Sequence, residues 1–200
     1  MTEARKTSKC YVNEDADERL CRLYRLRLGL VDDLLPPTFS TLCLITEHHL
    51  ANIPFENISL HTKEIGPKQG QMPPIVMDRP RLIHKLLVDK RGGCCLELNG
   101  LLAEFLRALG FHPGHLVPCF VAAGPERGHR SGGRATTNGG ARRRFRTTAS
   151  HFVLRVQDDF WVDVGLGEPP LHPLRYSHSM LDVPQRTPEG MVSRIRWDPR

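Results

Sequence analysis

The chain has 200 residues, 40% of them hydrophobic, enough for one or two compact lobes with a real core. No stretch approaches the roughly eighteen apolar residues of a membrane span. The polar residues 1–17 lack the apolar run of a secretory leader, so a cytoplasmic protein without membrane attachment is expected. The formal net charge of +6 is matched by residues 124–150 alone, where seven arginines face a single acid, Glu126.

The first half reads helical. Asn13 or Asp15 is placed to cap a helix carrying Leu20, Leu23, Tyr24 and Leu28 and ending near Gly29. Pro36-Pro37 closes a linker, and Thr38 caps a second helix through Leu42, Ile45 and Leu50 to about Ile53. Residues 62–77, rich in Gly, Pro and Gln, read as a long loop. Asp78, with Pro80 two residues on, opens a short third helix through Leu82, Ile83, Leu86 and Leu87.

The fourth helix begins in Arg91-Gly92-Gly93-Cys94-Cys95-Leu96-Glu97. From Cys95 the apolar residues fall at Leu98, Leu102, Phe105 and Leu109, alternating steps of three and four, and Gly110 is a natural stop. Cys95 therefore stands in the first turn, where unpaired N–H groups and the helix dipole favour an anion. A thiol there becomes more acidic and more nucleophilic. Two glycines before a helix start indicate close backbone approach.

Beyond Gly110 the pattern changes to strands. Residues 116–123 are an apolar run, and His151-Phe152-Val153-Leu154-Arg155-Val156 alternates. Residues 160–164 follow across the polar turn Gln157-Asp158-Asp159, which makes the last two runs a hairpin. Residues 191–197 read as one more strand. The expected fold is α+β: a helical bundle over 1–110, then a mostly antiparallel sheet or barrel over 111–200. Residues 124–150, with six glycines and almost nothing apolar, have the composition of a disordered insertion. A nucleic-acid-binding arm is not favoured there, because only Phe145 offers a ring for base stacking.

The six cysteines (10, 21, 43, 94, 95, 119) include no CxxC pair, which argues against a zinc site and against a disulfide framework. A nucleophilic cysteine needs a base and a third group to orient that base. Of the seven histidines after residue 80, His151 heads a strand. Asp163 lies in the next strand between Val162 and Val164, where a carboxylate is costly unless paired. Hairpin partners can face one another, so Asp163 is placed to hold His151.

The segment Arg91-Gly92-Gly93-x-Cys95-x-Glu97 with Asn99 resembles the active-site signature of arylamine N-acetyltransferases. The resemblance extends to Tyr24-x-x-Arg27-Leu28-Gly29, Leu35-Pro36-Pro37-Thr38 and Ile53-Pro54-Phe55-Glu56-Asn57. It continues through Ser150-His151-Phe152-Val153-Leu154 and Trp161-Val162-Asp163-Val164-Gly165-Leu166-Gly167. It implies a cysteine-protease-like arrangement with Cys95 as nucleophile, His151 as base and Asp163 as orienting group. It also implies acetyl-CoA as co-substrate, no permanently bound cofactor or metal, and an arylamine, arylhydroxylamine or hydrazine as acceptor. Arg27, Glu56 and Arg91 match positions read as a buried charged cluster bracing the active-site helix.

Relatives often carry an aromatic residue where Cys94 stands, Phe where Leu166 stands and glycine where Glu168 stands, changes that would reshape an acceptor pocket. They also continue into a third lobe over the cleft, which is expected to be absent here. The arginines of 124–150 are placed to attract the phosphates of CoA. Two further readings stand beside acetyl transfer: a related thiol enzyme, either a hydrolase of acyl thioesters or amides or another acyltransferase, and a truncated non-catalytic homologue.

Overall fold

The computed structural model describes residues 15–31, 34–58, 75–119, 121 and 151–197. Among the described residues four α-helices come first: α1 Ala16–Leu28, α2 Phe39–Asn52, α3 Arg79–Ile83 and α4 Cys95–Ala108. Six strands follow: β1 Pro113–Cys119, β2 His151–Val156, β3 Phe160–Val162, β4 Leu174–Arg175, β5 Gln185–Arg186 and β6 Val192–Ser193. The insertion expected at residues 124–150 lies outside the described residues.

The helix ends follow their capping chemistry. Thr38 Oγ1 accepts the Thr41 N–H at 3.2 Å, and Asp78 Oδ2 accepts that of Arg81 at 3.2 Å. Asp15 caps α1 with its backbone alone, and Gly29 ends it in the left-handed region at φ 69°. The third helix departs from the expected single run. After Ile83 the chain widens into a π turn, His84–Val88, which keeps Leu86 and Leu87 buried.

The sheet is open, in order β1-β2-β3-β4, with every neighbour antiparallel, and β5 pairs with β6 separately. No barrel closes among the described residues. Gln157 and Asp158 both take positive φ in the β2–β3 turn, as a tight hairpin requires. Two expected strands are shorter than read. β3 stops at Val162, and residues 191–197 contribute only Val192–Ser193.

One hydrophobic cluster joins the two halves. Leu20, Tyr24 and Leu28 of α1, Leu42 and Ile45 of α2, and Leu98, Leu102 and Phe105 of α4 pack with Leu154, Val156, Val162 and Val164. Tyr24 stacks on Phe105 with ring centres 4.2 Å apart, fixing α1 to α4. Its hydroxyl bonds His49 Nδ1 at 2.7 Å, and burial drives the imidazole pKa down to about 3, so the ring is neutral. Helix α4 therefore lies between the other helices and the sheet, with its N-terminus at the end of β2.

Candidate active site

Cys94 is the N-cap of α4 and Cys95 its first helical residue. The approach to that helix is set by backbone contact. Glu56 N–H donates to the Gly93 carbonyl at 2.9 Å, and Gly93 N–H to that of Pro54 at 3.3 Å. A Cβ on Gly92 would stand 2.2 Å from the Pro54 oxygen, and one on Gly93 would stand 2.8 Å from a Glu97 carboxylate oxygen. The two glycines are required because no side chain fits there.

Glu97 is buried and holds the helix start from inside. Its carboxylate accepts the Cys94 N–H at 3.0 Å and the Val76 N–H at 3.2 Å, and pairs with Lys85 Nζ at 2.7 Å. Glu56 pairs with Arg91 at 2.8 Å. The expected three-residue buried cluster is corrected: Arg27, Glu56 and Arg91 are all only partly buried, with the Arg91 side chain 40% exposed, and of the three only Glu56 and Arg91 pair. Arg27 is half-exposed and donates to the Leu86 and Lys90 carbonyls, bracing the π turn.

The three residues singled out from the sequence meet. His151 Nε2 lies 2.6 Å from Asp163 Oδ2, and interaction with the same ring lowers the Cys95 pKa. Asp163 is held by its other oxygen, which accepts the Gly165 N–H at 2.9 Å. Gly165 runs so close to α4 that a Cβ there would stand 2.5 Å from Cys95 Cα.

The electrostatics separate three neighbouring thiols. Burial opposes ionisation of Cys95, but the His151 hydrogen bond, the Phe152 N–H, the imidazolium charge and the Leu96 N–H outweigh it, and its pKa falls. Burial also works against the His151 charge, yet the bonds and charges of Asp163 and Cys95 raise its pKa to about 9. The two shifts run in the direction that favours a thiolate–imidazolium pair. Cys94, buried at the cap, has its thiol pushed up, chiefly by burial.

The third thiol, Cys119, pairs directly across the β1–β2 ladder with His151. Burial, Asp163 and Cys95 push it up to about 11, so it stays protonated. Sequence reasoning had no signal for Cys119, nor for Lys85 as the partner of Glu97. A cavity of about 230 Å³ bounded by Phe39, His172, Leu174 and Arg175 includes none of these residues and stands apart from this chemistry.

Such an arrangement can form a covalent acyl-sulfur bond and move protons at it. Comparison with known proteins points the same way. A family model described as N-acetyltransferase matches residues 38–197. An arylamine N-acetyltransferase / N-hydroxyarylamine O-acetyltransferase of Salmonella typhimurium is 31% identical over 160 residues, 77% of this chain and 46% of that one. An N-malonyltransferase of Gibberella moniliformis is 33% identical over 129 residues, 62% of this chain and 32% of its own. Among solved structures, the Mycobacterium marinum arylamine N-acetyltransferase in complex with CoA superposes with a TM-score of 0.60 at 26% identity. It covers 84% of this chain and 53% of that one. The chain spans under half of the Salmonella relative and about half of the solved one.

Proposed function

The chain belongs to the arylamine N-acetyltransferase family, and from that premise we propose that it transfers an acetyl group from acetyl-CoA to an aromatic amine through acetyl-Cys95. The observation that carries this reading is His151 Nε2 at 2.6 Å from Asp163 Oδ2, on a ring that also draws the Cys95 pKa down. In the first half-reaction the Cys95 thiolate attacks the thioester carbonyl carbon, and a new C–S bond forms. The tetrahedral oxyanion collapses, the bond to the CoA sulfur breaks, and the His151 imidazolium protonates the departing thiolate. In the second, the nitrogen of an arylamine or hydrazine attacks acetyl-Cys95. Neutral His151 takes the amine proton, the C–S bond breaks, and the amide leaves a thiolate–imidazolium pair behind.

Asp163 fixes the ring by accepting from Nε2, which leaves Nδ1 for the sulfur, and it offsets the imidazolium charge. An arylhydroxylamine attacking through oxygen would follow the same route to an ester. Likeness to an N-malonyltransferase supports a second reading on the donor side only, with malonyl-CoA acylating the same sulfur.

Incubation with acetyl-CoA alone, followed by intact-mass measurement, tests the core of this reading. A single acetyl adduct is expected, lost in Cys95→Ala and discharged on adding an arylamine. Adduct formation by Cys95→Ala, or none by the parent, overturns it. Release of CoA that proceeds steadily with no amine present would instead identify a hydrolase. Malonyl-CoA in a parallel sample decides between the donors.

A further inference from the structure

Asn99 lies one turn beyond Cys95 on α4, fully buried, and its carboxamide bridges β2 and the segment just past the end of β3. Nδ2 donates to the Phe152 carbonyl at 2.8 Å and reaches Asp163 Oδ1 at 3.3 Å, while Oδ1 accepts the Val164 N–H at 3.0 Å. The β2–β3 ladder explains why those groups are available. Its register pairs Val156 with Phe160 and Leu154 with Val162, so the next pair of the same kind is Phe152 with Val164.

In an antiparallel ladder such a pair exchanges both of its N–H···O bonds directly. Here it does not, because β3 has ended and the Asn99 amide stands between the two backbones. The side chain reproduces one of the missing bonds by accepting from Val164 and donating to Phe152. The other is not reproduced, and the Phe152 backbone is among the groups that lower the Cys95 pKa.

We propose that Asn99 is a positioning residue that wedges the two strands apart, turning a ladder amide of β2 into a donor for the nucleophilic sulfur while orienting Asp163 toward His151. Three consequences follow from one group. The Phe152 N–H adds to the first-turn amide of Leu96 in holding negative charge on sulfur. Asp163 Oδ1 is occupied by Asn99 and Gly165, leaving Oδ2 for the histidine. Helix α4 is also tied to β2 and to the segment just past the end of β3, which carry the partners of Cys95. Asn99 does not touch the reacting atoms, so its effect is exerted through Phe152 and Asp163.

This inference rests on Cys95 being the activated thiol, and its test needs no acyl donor. Iodoacetamide alkylation of Cys95, located by peptide mass, is followed against pH in the parent, Asn99→Ala and Asn99→Ser, each with a thermal melt. The parent midpoint is expected below the ordinary thiol range. In the variants it moves up by about one unit, so that alkylation near pH 6 falls about tenfold while the rate near pH 10 is unchanged. A residue that merely supported the fold would lower the melting temperature and leave the midpoint in place. Either folded variant with the parent's midpoint overturns the proposal, as does a parent whose Cys95 titrates like a free thiol. Acetyl-adduct formation, measured separately, reports on acyl transfer: a parent with a low midpoint and no adduct refutes the acetyltransferase reading and leaves the wedge standing.

Discussion

His151 is the side chain on which two charges depend. Its raised pKa means that the folded chain gains stability from the charged ring. That gain is fully present below the ordinary imidazole value of 6.5 and is lost as pH rises through about 9. Cys95 is displaced the other way. Its contribution is present above the ordinary thiol range and is lost as pH falls through the lowered folded value. Replacement by glutamine (H151Q) is expected to move the Cys95 alkylation midpoint up toward an ordinary thiol. The difference in melting temperature between parent and variant should shrink above pH 9, and a difference that grows there would contradict the pairing. At this scale the sequence was informative about Cys95, because helix periodicity and the Gly-Gly approach locate a thiol in a first turn. It was uninformative about what Asn99 meets. Spacing along a helix reports which face a residue lies on, and the partners of Asn99 lie 53 and 65 residues away.

Helix α4 is held at its start by a buried ion pair and at its flank by a glycine. Lys85 and Glu97 have side chains only 13% and 4% exposed. Removing the cation in Lys85→Ala leaves a carboxylate uncompensated in the interior and should cost about 3 kcal/mol by chemical denaturation. Adding Glu97→Gln should return part of that loss, and fully additive effects would show that the two do not interact. Gly165→Ala forces its methyl against the Cys95 backbone. A stability loss of about 2 kcal/mol is expected, with slower alkylation of Cys95. Helices of this chain were legible because caps such as Thr38 and Asp78 and stops such as Gly29 and Gly110 are local chemistry. The paired segments β4, β5 and β6 are two residues each. That is too short for an alternating pattern, and they exist through tertiary pairing rather than propensity. The π turn escaped for a related reason: its apolar spacing is compatible with an ordinary helix.

At the scale of the whole chain, a single apolar cluster runs from α1 through α4 into the sheet. Helical and strand regions are therefore expected to unfold together. Thermal transitions followed by far-ultraviolet circular dichroism and by tryptophan fluorescence should coincide, and two separated transitions would refute the shared core. Leu154→Ala, at a fully buried position in that cluster, should cost about 3 kcal/mol and shift both signals equally. The division into helices followed by an antiparallel sheet was readable because the hydrophobic period changes from 3.6 to 2 after Gly110. How the layers meet was not, since nothing in the order of elements says that α4 rather than α2 lies against β2.

The bonds that tie Asn99 to Phe152 and Asp163 close loops of 53 and 64 residues, the kind of contact whose entropic cost delays it until much of the chain is in place. Before those bonds form, Cys95 has neither its imidazolium nor the amide of β2, and it is an ordinary, mostly protonated thiol. On the proposed mechanism, completion of folding is what activates it. A nascent or partly opened chain would thereby be spared indiscriminate acylation and oxidation at the proposed nucleophile.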